Sequence, residues 1–563
     1  MPEPANTVIG YVVDVQGNML TASLVEDEQG RAPTVTIGDE DILVGQIGSY
    51  VAIRQNDVNI VAIVTRMTEQ EALAAPTIET PGEDTARLPF AKRIARLTPI
   101  GSIRADGQFD RGVGRYPTTG AEVHALGSAD IAKMFERFQS KGFSVGTVAT
   151  HPSLKVCLDP SNLFGRHFAI LGQTGSGKSW TVAALVQRTV AVMPRAHIII
   201  LDLHGEYCWK REDGTRHYAF ANAIVRHVDA RELEIPYWLM TYAELCDLLI
   251  ERSEREATNQ TAFFRDCLLE GRQTENSSAT PALGLPRVTV DTPIYFSLDD
   301  VISKVRAKNV ERVGNRQGPM FGDFDRFLMR IESKLNDTRY DFLLKPTKRN
   351  SSASLSAMLR DFVGLGAQKA AVTVIDLSSV PFDVRPTVAA QIGRLAFEFN
   401  YWNPKYREFP ILLICEEAHA YIPRASESQF AGSRKSMERL AKEGRKYGVG
   451  LAVVSQRPHE VSETVLAQCG TFICLRITNP DDQAYVRSLV PESEGDLVSV
   501  LAGLGRGEAL VLGEAVPLPT RLQFDKPHPT PNSDDVDFYA KWRDGPTDLD
   551  VDAIVKRWRS QER

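Results

Sequence analysis

One glycine-rich segment constrains the fold of this chain more than any other stretch. Residues 169–181 read AILGQTGSGKSWT, and the pattern G-x-x-x-x-G-K-[ST] is completed by Gly172, Gly175, Gly177, Lys178 and Ser179. An apolar run from His167 to Leu171 precedes it, so a strand, a loop and the start of a helix are predicted in that order. Glycines let backbone N–H groups approach phosphate oxygens, and the helix N-terminus attracts the same anion. The segment therefore predicts a phosphate-binding P-loop.

Two residues of the loop have distinct expected roles toward ATP and Mg²⁺. Lys178 is expected to place its charge on the β- and γ-phosphates, and the Ser179 hydroxyl is expected to ligate Mg²⁺. Thr174, Ser176 and Trp180 are also nucleotide-binding candidates, because they lie within or directly after the loop. The alternative is a tight turn without a ligand, which two matching segments downstream disfavour.

Apolar runs alternate with helical segments along the rest of the chain. The runs cover 197–207, 370–378, 411–422, 448–458 and 472–477. This alternation is typical of a parallel sheet flanked by helices, which binds ligands at the carboxyl ends of its strands. Within the first run, Asp202 lies at the carboxyl end of the predicted strand and is followed by His204 and Glu206, so we expect these side chains close to the nucleotide. The alternative is that Asp202 only caps the end of its strand.

Hydrolysis of a triphosphate needs a carboxylate near the attacking water and a cation near the transferred phosphate. Glu416 occupies the position of a carboxylate that holds Mg²⁺, and Glu417 is expected to orient and deprotonate water. Gln456, at the end of the run at 448–458, is placed to sense the γ-phosphate. The alternatives are a solvated turn for the two glutamates and an ordinary loop residue for Gln456. The residues alone leave four candidates for the cation, which are Arg424, Arg439, Arg445 and Arg476.

Short β-type runs between Thr7 and Val64 are separated by turn residues, which predicts a small antiparallel barrel that closes its own edges. The polar, proline-bearing stretch at 68–85 is predicted to be an exposed loop, and strand-like pieces resume at 94–103. Residues 236–360 have apolar residues at helical spacing, which predicts a helical insertion.

The segment at 301–350 contains twelve Lys or Arg and six Asp or Glu, in a chain whose formal charge is −7. This local excess of positive charge is typical of a contact with a phosphate backbone, but a solvated helical face explains it equally well. The overall negative charge argues against a protein that coats nucleic acid with its whole surface.

The composition of the 563 residues, 43% hydrophobic and 24% charged, is typical of a soluble globular protein. The sequence has neither a bilayer-spanning apolar run nor the features of a signal peptide at MPEPANTVIG, so we expect a cytoplasmic protein without a membrane partner. Seven scattered cysteines without a C-x-x-C pair predict buried free thiols.

Taken together, these motifs resemble the HerA family of hexameric DNA translocases, which is related to FtsK. The resemblance covers about residues 7–525, and its motifs are GQTGSGKS (172–179), LDLHGEY (201–207), IPYWL (235–239), KLNDTRYDFLL (334–344), CEEAH (415–419), EGRKYGVGLAVVSQRP (443–458) and LAQCGTFICLRITNPDD (466–482). It implies an α/β fold: a RecA-like P-loop ATPase core with a parallel central sheet (159–235 and 361–526), an N-terminal barrel similar to the HAS barrel (1–158), the helical insertion (236–360) and a C-terminal tail (527–563).

The resemblance also implies an assembly and a function. The family forms homohexameric rings with duplex DNA through the centre and ATP at each subunit interface. By position, Glu417 is then catalytic, Gln456 is the sensor, Arg445 is the finger that acts in trans, and Arg424 is a second cation. The implied partner is a NurA-type nuclease or, in bacterial antiviral systems, a nuclease or sirtuin-like NADase on the barrel face. A ring that gathers and activates an effector, with hydrolysis as a regulatory gate, is the alternative function.

Overall fold

The computed structural model describes residues 7–25, 34–37, 40–55, 58–71, 91–104, 108–210, 214–220, 223–229, 232, 234–251, 255–279, 281–424 and 431–560. The chain divides into two compact units. Unit 1 comprises Met1–Arg188, Gln456–His459 and Cys469–Lys526, and unit 2 comprises Thr189–Ser455, Glu460–Gln468 and Pro527–Arg563.

The strands in chain order are β1 (Val8–Gln16), β2 (Met19–Leu24), β3 (Thr34–Ile37), β4 (Glu40–Leu43), β5 (Tyr50–Gln55), β6 (Val58–Glu71), β7 (Ala91–Ile103), β8 (Phe109–Arg111), β9 (Glu122–Ala125), β10 (Ser144–Val148), β11 (His151–Cys157), β12 (Phe168–Leu171), β13 (Ile198–Asp202), β14 (Cys208–Lys210), β15 (Arg216–Tyr218), β16 (Val225–Asp229), β17 (Arg312–Val313), β18 (Arg316–Gln317), β19 (Val372–Asp376), β20 (Ile411–Cys415), β21 (Val449–Ser455), β22 (Thr471–Cys474), β23 (Glu508–Gly513) and β24 (Thr520–Phe524).

The α-helices in chain order are α1 (Ser128–Gln139), α2 (Pro160–Gly165), α3 (Lys178–Val192), α4 (Tyr242–Leu249), α5 (Ala257–Ser278), α6 (Leu298–Asn309), α7 (Asp325–Leu335), α8 (Asp341–Leu344), α9 (Ser354–Phe362), α10 (Arg385–Trp402), α11 (Ala431–Glu443), α12 (Glu463–Leu466), α13 (Pro480–Leu489), α14 (Phe538–Asp544) and α15 (Val551–Ser560).

Unit 1 begins with a closed antiparallel barrel. Its strands follow the order β2-β1-β9-β5-β6-β7, and pairing of β2 with β7 closes the ring. Alternate residues point inward, so Val12, Leu20, Ile53 and Leu97 form an apolar core. The predicted barrel is confirmed, and closure removes the unpaired strand edges.

The predicted loop at 68–85 is wrong at its beginning. β6 continues to Glu71, which pairs with Ala91 at the start of β7. Thr68 and Glu69 are both exposed in this part of the strand, and polarity alone does not distinguish such a strand end from a loop. The rest of the predicted loop, residues 72–85, lies outside the described residues.

The remaining strands of unit 1 lie in the order β11-β10-β24-β23-β22-β12. β12 and β22 are parallel, whereas the pairs from β22 to β11 are antiparallel. The expected all-parallel sheet is therefore mixed at this edge. All four residues of β12 are buried, and the chain continues from this strand into the glycine loop and α3.

Unit 2 contains a parallel sheet in the order β21-β20-β13-β19-β16. All residues of β13, β20 and β21 are buried, as expected for strands covered on both faces. Helices α4 to α9 lie in the predicted insertion, where Phe324, Phe327 and Ile331 are buried at the predicted helical spacing. The α/β fold class with a barrel and a helical insertion is confirmed, and the exact domain boundaries stay a prediction.

All seven cysteines are buried free thiols, as predicted. Within the described residues, no helix combines the length and the apolar character needed to cross a bilayer.

Candidate nucleotide-binding site

The glycine loop of unit 1 has the backbone geometry of a phosphate cradle. Gly175 and Gly177 have φ angles of +74° and +103°, which residues with a Cβ rarely adopt. At Gly172 a Cβ would lie 2.7 Å from Ser176 Oγ and 2.9 Å from Leu475, so the loop is tight there as well. Helix α3 begins at Lys178, one residue before the predicted start at Ser179, and directs its first N–H groups toward the loop.

Hydrogen bonds within unit 1 hold the loop in place. The Gln173 backbone N–H donates to the Arg476 carbonyl oxygen (2.9 Å), and the Gln173 side-chain oxygen accepts from the Thr478 backbone N–H (3.0 Å). On the other side, the Gly507 N–H donates to the Ser176 carbonyl oxygen (3.0 Å). The hydroxyl of Thr174 donates to the side-chain oxygen of Gln456. The structure therefore brings Gln456 to the loop, as the position of this residue after β21 predicts.

The polar groups of the loop fit a bound phosphate. Ser176 Oγ and Thr181 Oγ1 are buried and have no hydrogen-bond partner among the described residues, although both residues are at most 1% exposed. A buried hydroxyl without a partner is costly, and a phosphate oxygen would satisfy it. The space beside Gly175 is open. The loop can thus accept the phosphates of a nucleotide, with Ser179 at the adjacent helix start for a cation.

The second part of the predicted site lies in unit 2, where Asp202 ends β13. Its Oδ1 accepts from the backbone N–H groups of Gly205 (2.8 Å) and Glu206 (3.1 Å), and its Oδ2 accepts from that of Tyr207 (3.0 Å). Burial nevertheless raises the pKa of Asp202 to about 6, because desolvation outweighs these bonds. Asp202 therefore organises the turn after β13, and its predicted contact with the nucleotide stays a prediction.

Replacing Asp202 with Asn should destabilise the protein by about 1–3 kcal/mol, because the amide NH₂ would face the Tyr207 N–H in place of an acceptor. Urea unfolding at pH 7 measures this loss against the wild type. ATP affinity should change by less than about twofold, since the carboxylate oxygens are already used in the turn. A large loss of affinity with unchanged stability would instead show that Asp202 contacts the nucleotide.

Glu416 follows β20 and is only 6% exposed. The Tyr207 hydroxyl donates a hydrogen bond to Glu416 Oε1, and the Tyr421 hydroxyl donates to the Glu416 carbonyl oxygen (2.7 Å). Burial is the main cause that raises the pKa of Glu416 to about 8; the Tyr207 hydroxyl acts to lower this pKa, and the nearby Glu206, Glu417 and Asp202 carboxylates contribute to raising it. A buried carboxylate of this kind favours a cation in its surroundings.

Glu417 has a left-handed backbone, with φ +48° and ψ +46°. This conformation is uncommon for a residue with a Cβ, and such strain concentrates at functional positions. The side chain is buried, and its Oε2 lies 3.3 Å from Nδ1 of His419, which in turn lies 3.2 Å from Ser455 Oγ. The two glutamates are therefore not a solvated turn.

The candidate arginines occupy different surroundings. Arg445 is exposed on the 3₁₀ turn Gly444–Tyr447, and its side chain forms no ion pair within the described part of unit 2. Arg424 lies 3.8 Å from Glu463, and Arg439 packs over Phe397 and pairs with Glu443. In unit 1, the backbone of Arg476 supports the glycine loop, as described above.

Tyr207 and His419 are site residues for which the sequence alone predicts no role. Tyr207 lies in the motif LDLHGEY and His419 lies in the motif CEEAH. Their place in these motifs is the only feature of the sequence that could have indicated a role in the site. Their contacts with Glu416 and Glu417 depend on the folded chain and could not be deduced from local patterns.

Comparisons with protein families and with known proteins identify relatives of this chain. Residues 143–396 match the model for the central domain of helicase HerA, and residues 408–520 match that for the HerA-like C-terminal domain. The DNA double-strand break repair helicase HerA of Pyrococcus furiosus is 30% identical over 435 residues, which cover 73% of this chain and 74% of the relative. The corresponding helicase of Sulfolobus acidocaldarius is 25% identical and covers 98% of this chain and 99% of the relative.

Among solved structures, the plasmid coupling protein TrwB in complex with ADP and Mg²⁺ is similar with a TM-score of 0.44 and 14% identity, over 71% of this chain and 92% of TrwB. The two family models together span most of the chain. The helicase of Pyrococcus furiosus is 30% identical to the chain over about three quarters of the length of each protein. The chain therefore belongs to the HerA family of helicases and is a P-loop ATPase.

Proposed function

We propose that this ATPase is the motor subunit of a homohexameric ring that moves duplex DNA through its centre. The proposal depends on the glycine loop, which hydrogen bonds hold in place in a chain of the HerA helicase family. The buried hydroxyls of Ser176 and Thr181 at this loop have no hydrogen-bond partner among the described residues. The relatives from Pyrococcus furiosus and Sulfolobus acidocaldarius are named DNA double-strand break repair helicases, which supports DNA as the substrate.

The proposed mechanism assigns separate roles to residues of the glycine loop and to the two glutamates after β20. Lys178 would bind the β- and γ-phosphates. Ser179 and Glu416 are the residues that would hold Mg²⁺, and the ion would supply positive charge to the phosphates. Tyr207 orients the Glu416 carboxylate through its hydrogen bond. Glu417 accepts a proton from the attacking water, and Gln456 senses the γ-phosphate from its contact with Thr174.

The insertion offers a specific candidate for the DNA contact. Ion pairs neutralise seven of the twelve cations between 301 and 350, namely Lys304, Arg306, Lys308, Lys334, Arg339, Lys345 and Arg349. In contrast, Arg312 and Arg316 are exposed on the short hairpin of β17 and β18 and form no ion pair with the described residues. Most of the segment is thus a solvated face, and we propose that this hairpin contacts the phosphate backbone.

Long duplex DNA should stimulate the ATPase of the wild type, and the double substitution Arg312→Ala/Arg316→Ala should lose most of this stimulation. Basal turnover should stay unchanged, because the hairpin contains no nucleotide-binding residue. In DNA-binding titrations at several salt concentrations, the slope of log K against log salt should become less negative by about 2, one for each lost phosphate contact.

The matched control is Lys304→Ala/Arg306→Ala, in which both lost cations are already paired with Glu270 and Glu332. If the control weakens DNA binding as much as the hairpin variant, the hairpin is not the contact. A wild-type ATPase rate that DNA leaves unchanged would contradict translocation and favour the alternative of a ring-shaped effector scaffold.

We also propose that the barrel face docks an effector, either a NurA-type nuclease or a sirtuin-like NADase, in DNA end processing or antiphage defence. Three apolar side chains of the β1–β2 hairpin support a docking surface on the barrel. Tyr11, Val13 and Met19 are 45%, 48% and 36% exposed. Exposed apolar side chains of this kind are typical of interaction surfaces when they cluster.

A further inference from the structure

Two cations lie over the ring of Trp180 in the first turn of α3, and the P-loop pattern assigns no role to these cations. The Arg506 guanidinium lies 4.1 Å from the centre of the Trp180 ring, and Lys526 Nζ lies 5.0 Å from the same centre. Cations at these distances are attracted by the electrons of an indole ring. All three residues belong to unit 1, and Trp180 directly follows Ser179.

The backbone holds this cluster against the glycine loop. Arg506 precedes Gly507, whose N–H donates to the Ser176 carbonyl oxygen (3.0 Å). A Cβ on Gly177 would lie 3.0 Å from Gly507 N and 3.7 Å from Arg506 Cγ, so the two glycines allow the segments to touch. Gly507 itself has φ +74°, which fixes the turn that presents Arg506.

Two polar groups in the first turn of α3 have no hydrogen-bond partner among the described residues. The indole N–H of Trp180 and the hydroxyl of Thr181 are buried and have no hydrogen-bond partner among the described residues. Thr181 as a whole is 1% exposed. A buried donor without an acceptor is rare in native proteins, and two of them in the first turn of one helix, beside two cations, match the needs of a phosphate group.

We propose that Arg506, Lys526 and the Trp180 indole N–H form a subsite for the α-phosphate of the nucleotide. The proposal rests on the nucleotide site described above. In a P-loop, backbone N–H groups cradle the α- and β-phosphates and Lys178 reaches the β- and γ-phosphates, so the pattern itself provides no side-chain cation for the α-phosphate. Trp180 holds the two side chains in place before the nucleotide binds, and this preorganisation lowers the entropy cost of binding.

The subsite has a measurable signature, because all three adenine nucleotides carry an α-phosphate. Arg506→Ala should weaken binding of AMP, ADP and ATP by a similar factor, roughly tenfold or more, as expected for the loss of a charge-assisted hydrogen bond. Lys526→Ala should act in the same direction and more weakly, since Lys526 is the more distant cation. Trp180→Phe keeps an aromatic ring but removes the N–H donor, and should also lower affinity for all three nucleotides.

Isothermal titration calorimetry of the full chain with AMP, ADP and ATP tests the proposal, with thermal unfolding to confirm that each variant is folded. Lys178→Ala serves as the reference for the P-loop and should weaken ATP and ADP binding more than AMP binding. Arg137→Ala, an exposed arginine on α1 of the same unit, is the matched control and should bind all three as the wild type does.

The outcomes separate the subsite from the proposed function. If Arg506→Ala and Lys526→Ala bind all three nucleotides normally while Lys178→Ala loses ATP, the subsite is wrong and the ATPase site stands. If Arg506→Ala loses ATP affinity but keeps AMP and ADP affinity, the arginine contacts the γ-phosphate and the α-phosphate assignment is overturned. A wild type that binds no nucleotide would overturn both proposals.

Discussion

Replacing Glu417 with Gln should lower the rate of ATP hydrolysis about 10²- to 10⁴-fold while leaving ATP bound, because the amide keeps the shape of the side chain but cannot accept a proton. The buried carboxylate at the end of β20, held in a left-handed backbone beside His419, is the group that carries this expectation. Phosphate release measures turnover, and a fluorescent ATP analogue measures binding. The variant should retain ATP at its sites for longer than the wild type.

Glu408→Gln is the matched control, since Glu408 is exposed on a 3₁₀ turn before β20 and should tolerate the same change. Full turnover by the Glu417 variant would remove this residue from the proposed role. A variant that neither binds nor hydrolyses ATP would show that the carboxylate supports the shape of the site rather than the chemistry.

Replacing Arg445 with Ala should reduce hydrolysis by about 10³- to 10⁵-fold, the effect of losing an arginine that stabilises the transferred phosphate. Arg445 suits contact with a neighbouring subunit because it is exposed and its turn is rigid. The Tyr447 ring on the same turn packs on Tyr401, Phe397 and Tyr406, with ring centres 4.9, 5.5 and 5.8 Å apart. The aromatic packing thus fixes the turn while leaving the guanidinium in solvent.

Mixing subunits distinguishes action in trans from action within one chain. Arg445→Ala and Lys178→Ala subunits are each expected to be inactive alone, but a mixed ring contains interfaces with an intact loop and an intact arginine. ATPase activity should therefore reappear on mixing. Lys446→Ala, which removes the neighbouring exposed cation, is the control and should remain active. Mixtures that stay inactive would place the required arginine elsewhere.

The local sequence pattern predicts most of the secondary structure around the site. β12, β13, β19, β20 and β21 all lie within the predicted apolar runs, because a strand buried on both faces must be apolar at consecutive positions. The start of α3 could also be placed, since the glycines and Lys178 have a fixed relation to the helix. The polar end of β6 could not be predicted, because its polar, exposed residues resemble those of a loop.

The pairings that define the site depend on residues distant in the chain. Tyr207 and Glu416 are 209 positions apart, and neither local segment indicates that the hydroxyl meets the carboxylate. Asp202 could be placed at a strand end, but the backbone N–H groups that surround its oxygens come from a turn whose shape depends on Gly205, with φ +73°. The contact of Arg506 with Trp180 could not be predicted for the same reason, since it depends on the turn before β23, where the Gly507 N–H donates to the Ser176 carbonyl oxygen.

The left-handed backbone at Glu417 has an evolutionary consequence. Glycine adopts this conformation at no steric cost, so the residue that would relax the turn is also one that would abolish the proposed proton transfer. A chain without ATPase activity would be free to place glycine at 417 and gain thermal stability. Under the proposed role, the strained dihedral angles of Glu417 are stability that the chain gives up for catalysis.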